Sequence, residues 1–363
     1  MPALLEIWNH LQRQLFPVLE EEIGSLTEKD RHFVEVMSLV PLGQFLESYR
    51  WSGVGCPPKE RAWIVHAFIA KAVYQLPTTR ALLDALAARP VLRRLCGWES
   101  AGQIPHESTF WRALADFSAG GLTQKIHQAM IKTHLEQKLV GHVSRDATAI
   151  EGHEKPVAKS APTPTAPKKR GRPAKGEVRP PTAPKRLEQQ PKRTLAENLA
   201  DLPQACAVGC KRNSKGHQET WIGYKLHLDT IDGDIPVSAV LTSASVHDSQ
   251  VAIPLAQMTA QRVRSLYDLM DSAYDAPQIH EFSRGLGHVP IIDPNPRRGE
   301  KIPLAPAEAV RFNQRTASER VNSQLKDNFG ARSVRVRGAA KVMTHLMFGV
   351  IALTATQLYQ MVL

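Results

Sequence analysis

The chain has 363 residues, 42% of them apolar and 22% charged, with a net charge of +11. That length accommodates two or three domains of roughly 100–200 residues, and the balance is that of an ordinary soluble globular protein. Four cysteines, at positions 56, 96, 206 and 210, are too few for a disulfide-built scaffold, and His10, Arg13 and the acids among the first residues interrupt any signal-peptide core, so a cytoplasmic protein is expected.

Residues 1–140 read as helices. "PPKERAWIVHAFIAKAVY" (57–74) spaces apolar residues at helical intervals after a Pro-Pro start. "PTTRALLDALAARP" (77–90) begins with a threonine cap and stops at a proline, and in "HESTFWRALADF" (106–117) Ser108 or Thr109 is placed to cap a further helix. Such a run of short helices can hold a helix-turn-helix for the DNA major groove. It is equally consistent with a plain bundle, because Trp111, Leu114 and Phe117 are ordinary core residues.

"HVSRDATAI" (142–150) is an isolated strand. Residues 155–195 then hold twelve Lys and Arg against two Glu, nine prolines and no aromatic residue, too little apolar surface to offset chain entropy, so this segment is expected to be a disordered basic linker. Within it Lys168-Lys169-Arg170-Gly171-Arg172-Pro173 resembles an AT-hook core, an Arg-Gly-Arg that lies in a narrow A·T minor groove. Nonspecific attraction to phosphate is the simpler reading.

Beyond 220 the pattern becomes that of strands. "WIGYKLHLDT" (221–230) and "IPVSAVLTSAS" (235–245), joined by Gly233-Asp234, read as a hairpin. "VRSLYDLMD" (263–271) and "GHVPIIDP" (287–294) read as short strands with a helix at 276–287 between them. The final "VMTHLMFGVIALTATQLYQMVL" is 22 residues long but contains His345, Gln357, Gln360 and three threonines, which favours a buried helix over a membrane span.

Three acids stand out: Asp146 inside the first strand, Asp271 at the end of another, and Glu319 in "RFNQRTASERVNSQLKDNF". An acid within an apolar strand costs several kcal/mol unless it is paired or binds a metal. At about 100° per residue, Phe312, Arg315, Glu319 and Lys326 share one helix face, and Ala317, Val321 and Leu325 form the opposite stripe. Ordinary intrahelical ion pairs would account for the helix alone.

Phe312-x2-Arg315-x3-Glu319-x6-Lys326 matches, except at its first residue, the Tyr-x2-Arg-x3-Glu-x6-Lys signature of DDE transposases of bacterial insertion sequences. "SRDATAIEG", the hairpin from Glu219 to "VHDS" and "MDSAYDAP" resemble that family's remaining segments, in its order, over roughly residues 142–360. The resemblance implies an α/β fold, an RNase H-like mixed sheet flanked by helices, preceded by an all-helical N-terminal domain for DNA binding or dimerisation (1–140). The catalytic domain would comprise 141–154 and 196–363, interrupted by the 155–195 linker. It further implies that Asp146, Asp271 and Glu319 hold two Mg²⁺ ions, with Mn²⁺ as a substitute, for in-line phosphoryl transfer on DNA.

Arg315 and Lys326 would hold phosphates and the Phe312 ring would stack on a base, without the hydroxyl of the family's tyrosine; Tyr224 and Lys225 are further candidate DNA contacts. The implied partners are double-stranded DNA, both element ends and target, and a second copy of the chain in the synaptic complex, at the bacterial nucleoid. Asp275 reads as a helix cap, His247 and Asp248 as loop hydrogen-bonding residues, and Cys206-x3-Cys210 lacks a second zinc-ligand pair. Two other readings remain open: a non-transposing RNase H-like nuclease, and an architectural DNA-binding protein, or decayed transposase, using the linker.

Overall fold

The computed structural model describes residues 2–49, 53, 57, 59–136, 138–158, 184–212, 216–296, 300 and 302–362. After two short N-terminal helices, Pro2–His10 and Phe16–Ile23, α1 (Glu28–Ser38) starts at a capping box in which Thr27 and Asp30 satisfy each other's backbone amides. α2 (Arg61–Val73), α3 (Thr79–Ala88), α4 (Glu107–Gly120) and α5 (Leu122–Leu135) follow. Thr78 caps α3, its hydroxyl accepting from Ala81 N at 3.0 Å. α4 is capped by His106, whose Nδ1 accepts from Ser108 N at 3.2 Å, in place of the serine or threonine expected from the sequence.

β1 (Leu139–Glu151) enters a six-stranded mixed sheet with β2 (Ala207–Arg212), β3 (Gln218–Ile231), β4 (Ile235–Ser243), β5 (Arg264–Met270) and β6 (Val289–Ile292), in the order β2-β3-β1-β5-β6, with β4 on β3. β1 lies antiparallel to β3 and parallel to β5, so the first strand is central and its partners come from beyond the basic segment. The β3–β4 turn places Gly233 and Asp234 at φ 81° and 58°, a conformation open to Gly and tolerated by Asp.

Every residue of β4 is buried, because both of its faces are covered. Val240 joins Val251 and Leu255 of α6 (Ser249–Ala260), while Val237, Ala239 and Leu241 join the main core, as a period of two requires. That core is continuous from Leu82, Phe110 and Phe117 of the N-terminal helices to Leu226 of β3 and Val350 of the last helix. The sequence-based division at residue 140 is therefore crossed by a single core.

Downstream lie α7 (Pro277–Gly285), α8 (Thr316–Asn328) and α9 (Ala339–Gln360). A short helix Pro306–Phe312 and the turn Asn313–Arg315 lead into α8, so Phe312 and Arg315 precede the helix that carries Glu319 and Lys326 rather than sharing it. α9 has membrane-spanning length and apolarity, and 72% of its most apolar window is buried within the protein. It packs on α2, α4, α5 and β4, and each fully buried Leu or Val it contributes stabilises the fold by about 1.5–3 kcal/mol. Gly349 makes this possible where α9 passes the end of α8, since a Cβ there would lie 2.5 Å from the Phe329 carbonyl oxygen.

The described ends of the 155–195 segment differ from a free linker. Val157 N bonds to Cys206 O at 2.9 Å, and Arg186–Gln189 is helical. Gln190 is buried and donates to Gln250 O at 2.6 Å, at the start of α6. Alternating charge and amide side chains find partners on α6, which composition alone does not convey.

Candidate active site

Register brings the first two acids together. β1 and β5 run parallel with Arg145 opposite Met270, so Asp146, in the middle of β1, and Asp271, the first residue past the end of β5, follow one residue later. Burial pushes the Asp146 carboxyl up to about 6; the Ala147 amide opposes this, and Asp271, Asp248 and Arg315 all act on it, the two acids upward and the arginine downward. Asp271 is also raised, by burial first, with Asp248 adding to the rise and the Ala273 amide and Arg315 opposing it. Its Oδ1 accepts from Ala273 N at 2.9 Å, which fixes the carboxylate at the start of the turn Ser272–Tyr274.

α8 packs against β1 and β3 through Ala317, Val321 and Leu325, the stripe expected from the sequence. Its position is set at one end by Arg320, which grips Asp234 of the hairpin turn with bonds of 2.7 and 2.6 Å. On the helical wheel Asn322 falls within about 20° of Arg315, between the charged face and the buried stripe. Its Nδ2 donates to Asp146 Oδ2 at 2.9 Å, while its own Oδ1 is buried with no partner among the described residues. Sequence reasoning missed this residue; the available signal was an amide three residues after Glu319, on the side of the helix turned to the sheet.

Glu319 is placed differently. Its side chain is 53% exposed and ion-paired with Arg315, one helical turn earlier. Among the described residues no three His, Cys, Asp or Glu side chains are arranged to hold a common metal ion. Arg315 thus links the two parts of the site: it is bonded to Glu319 and lowers the carboxyl pKa of Asp146 and Asp271.

The other candidate residues fall into distinct environments. Phe312 is half-buried, with the Arg315 guanidinium 5.6 Å from its ring centroid. Lys326 lies further along β1, beside a concavity lined by Ala149, Glu151, Ala331 and Arg332; burial lowers its pKa, and Lys211 and Arg332 lower it further. Lys225 Nζ donates to Asp248 Oδ1 at 2.8 Å and to Val246 O at 3.0 Å, so it serves Asp248 as counter-ion. Tyr224 is corrected: it is buried and gives its hydroxyl to Glu154, which removes it as a DNA contact. Asp275 receives His280 Nε2 and Asn295 N, each at 3.0 Å; it is the C-terminal cap of the turn Ser272–Tyr274, while the residue at the N-cap of α7 is Ala276. Lys168, Lys169, Arg170 and Arg172 lie outside the described residues.

Close to the acids is Tyr274, fully buried, its hydroxyl without a partner among the described residues. Burial raises its pKa well above the usual value, and Asp248, Asp146 and Asp271 all add to that rise. The donor set suits a hard divalent cation: Asp146 and Asp271 stand in negatively charged surroundings in a desolvated place where Arg315 opposes them, and such a cation favours oxygen ligands.

Residues 145–355 match the family model described as Transposase DDE domain, and residues 21–116 match the one described as Transposase domain (DUF772). No curated protein and no solved structure matches the chain. The first of these models begins at Arg145, beside the first acid, and runs through Asp271, α8 and most of α9; the chain belongs to the DDE transposase family, DNA-binding enzymes that cleave DNA with divalent metal ions.

Proposed function

We propose that this transposase cleaves the ends of an insertion sequence and joins them to target DNA, with Asp146, Asp271 and Glu319 as the carboxylates that hold two Mg²⁺ ions. The observation that carries this reading is the convergence of Asp146, in the middle of the central strand β1, with Asp271, just past the end of the neighbouring β5, with Asp248 acting on both. When bound, the ions supply Lewis-acid charge for an in-line displacement at phosphorus, by water in cleavage and by a DNA 3′-OH in strand transfer.

The chain's own side chains divide the remaining work. Asn322 holds one oxygen of Asp146 through its amide, leaving the other oxygen to hold a metal ion. Lys225 compensates Asp248, which limits the repulsion among the acids. Glu319 joins the aspartates by leaving Arg315, and the guanidinium so released grips a DNA phosphate through paired N–H donors. Lys326, with Lys211 and Arg332 close enough to lower its pKa, provides a basic track for the strand beyond the cut, and Phe312 stacks on a base. The basic segment around Arg170 and Arg172 adds nonspecific affinity, and two copies of the chain pair the two ends.

Asp146→Asn, Asp271→Asn and Glu319→Gln are each expected to abolish cleavage of DNA carrying the element ends in Mg²⁺ while end binding in a gel-shift assay persists. Cleavage retained by any one of them removes that residue from the triad. Products in which 3′ ends are joined to a second duplex separate a transposase from a simple nuclease.

A further inference from the structure

Away from the acids, between α2, the start of α3, α4 and the segment entering α9, lies a cavity of ≈ 310 Å³. Its apolar walls include Phe68, Leu114 and Phe348, with Trp111 also lining it. A cavity of about 150 Å³ takes a benzene ring, so this one has room for a ring and a polar group attached to it.

Lys71 also lines this cavity, although it is only 7% exposed. No residue among those described provides its ammonium with a hydrogen bond or an ion pair. An unpaired ammonium held in apolar surroundings costs several kcal/mol unless an anion offsets it. Thr78 and Thr79, at the N-terminus of the ten-residue helix α3, line the same space, and the unsatisfied amides and dipole of a helix start favour negative charge. Arg335 contributes a second cation to the lining. His345 is kept neutral by burial, with Lys71 adding to the effect, and bonds through Nε2 to Gly330 O at 3.3 Å. Glu107, which lines the cavity too, accepts from Trp111 Nε1 at 3.3 Å.

We propose that this cavity is a binding site for a small organic anion, a carboxylate or phosphate monoester on a ring-sized apolar body, with the anionic group on Lys71 and the start of α3 and the ring against Phe68, Phe348 and Trp111. Because the walls come from the N-terminal helices and from the 329–348 region together, the ligand bridges the two parts of the chain and stabilises their association. The site stands independently of the assignment of the catalytic acids.

The test uses the full chain with phenylacetate and phenyl phosphate as probes and benzyl alcohol as the uncharged control, followed by calorimetric titration and thermal unfolding. Saturable binding of at least one anion, with a rise in Tm of several degrees at saturation, is expected. Lys71→Met and Trp111→Ala are each expected to weaken that anion at least tenfold, and benzyl alcohol to bind at least tenfold more weakly than it. Lys71→Met removes an unpaired charge, so its near-ultraviolet circular dichroism should match that of the parent chain. Response to phenylacetate alone identifies a carboxylate site, and response to phenyl phosphate alone a phosphate site. Failure of both anions to bind, or equal binding by Lys71→Met, overturns the proposal.

Discussion

Arg145, the residue before the first acid, offers a stringent test of how the sheet is held together. It is 2% exposed and its partner Asp229 is 0% exposed. Nε and a terminal guanidinium nitrogen donate to the two carboxylate oxygens at 2.8 and 2.7 Å, and Thr259 Oγ1 donates to the same carboxylate at 2.6 Å. Since Arg145 faces Asp229 across the β1–β3 register and strand side chains alternate, this pair lies on the sheet face opposite Asp146. Arg145→Met removes the charge and keeps the volume, leaving Asp229 buried with Thr259 as its remaining side-chain donor. Breaking a buried pair on one side costs about 3–5 kcal/mol, a large part of the roughly 5–15 kcal/mol that stabilises a domain. Urea unfolding followed by circular dichroism should show a lower midpoint at unchanged slope. The double variant Arg145→Met/Asp229→Leu should recover most of the loss, because an apolar replacement of both partners is often neutral or stabilising. A single-variant loss below about 1 kcal/mol, or effects of the two substitutions that simply add, would refute the reasoning.

Asn322→Ala should lower the cleavage rate about 10- to 100-fold and weaken the dependence on Mg²⁺, as expected for a residue that orients a metal ligand, with the unfolding midpoint nearly unchanged; an unaltered rate would show that its bond to Asp146 is incidental. His127 is buried and bonded to Pro236 O and Thr354; burial, helped by Arg262, lowers its pKa from 6.5 to about 3. A depressed histidine pKa favours the folded state above about pH 6.5, and that stability is lost as the pH falls from there towards 3, at up to about 1.4 kcal/mol per pH unit. His127→Gln should reduce the slope of stability against pH in that window by up to one proton; an identical slope in both proteins would be contrary evidence. Deleting 160–183, which holds six Lys and Arg but spares the packed helix from Arg186, should weaken DNA binding and reduce the magnitude of its log–log salt slope by up to about 5; an equal slope would assign the segment another role.

Much of the catalytic half was legible because strand and helix periods act locally. The β3–β4 hairpin, β5, β6 and the buried stripe of α8 follow from alternation, turn chemistry and the helical repeat, and the spacing from Arg315 to Lys326 carried the family resemblance. Asn322 and Tyr274 escaped notice because their importance is set by register. Only when β1 and β5 align does Asp146 come beside Asp271, with Asn322 and Tyr274 packed around them. Tyr224 was misassigned because an aromatic residue beside a lysine reads equally well as a nucleic-acid contact or as core, and its partner Glu154 lies seventy residues earlier. The N-terminal helices gave no sign that α9 would be their shared core, since that contact joins residues hundreds of positions apart.

The pairing of Glu319 with Arg315 is compatible with the proposed triad on energetic grounds. An exposed ion pair four residues apart on a helix contributes only about 0.3–0.5 kcal/mol, and Glu319 is more than half exposed, so releasing it costs little. Asp146 and Asp271, by contrast, are held by the sheet, by Asn322 and by the Ala273 amide, and they repel each other in a desolvated site. Were a divalent cation held by these two acids, it would relieve that repulsion, and its attraction for a third carboxylate would exceed the small energy that keeps Glu319 on Arg315. Arg315 would then lose one anion and be free for another, the phosphate of the DNA being cut. In this proposed arrangement the same arginine, which already opposes the charge of the acids, would hold substrate once metal is bound, giving a role to an arginine one helical turn before the glutamate.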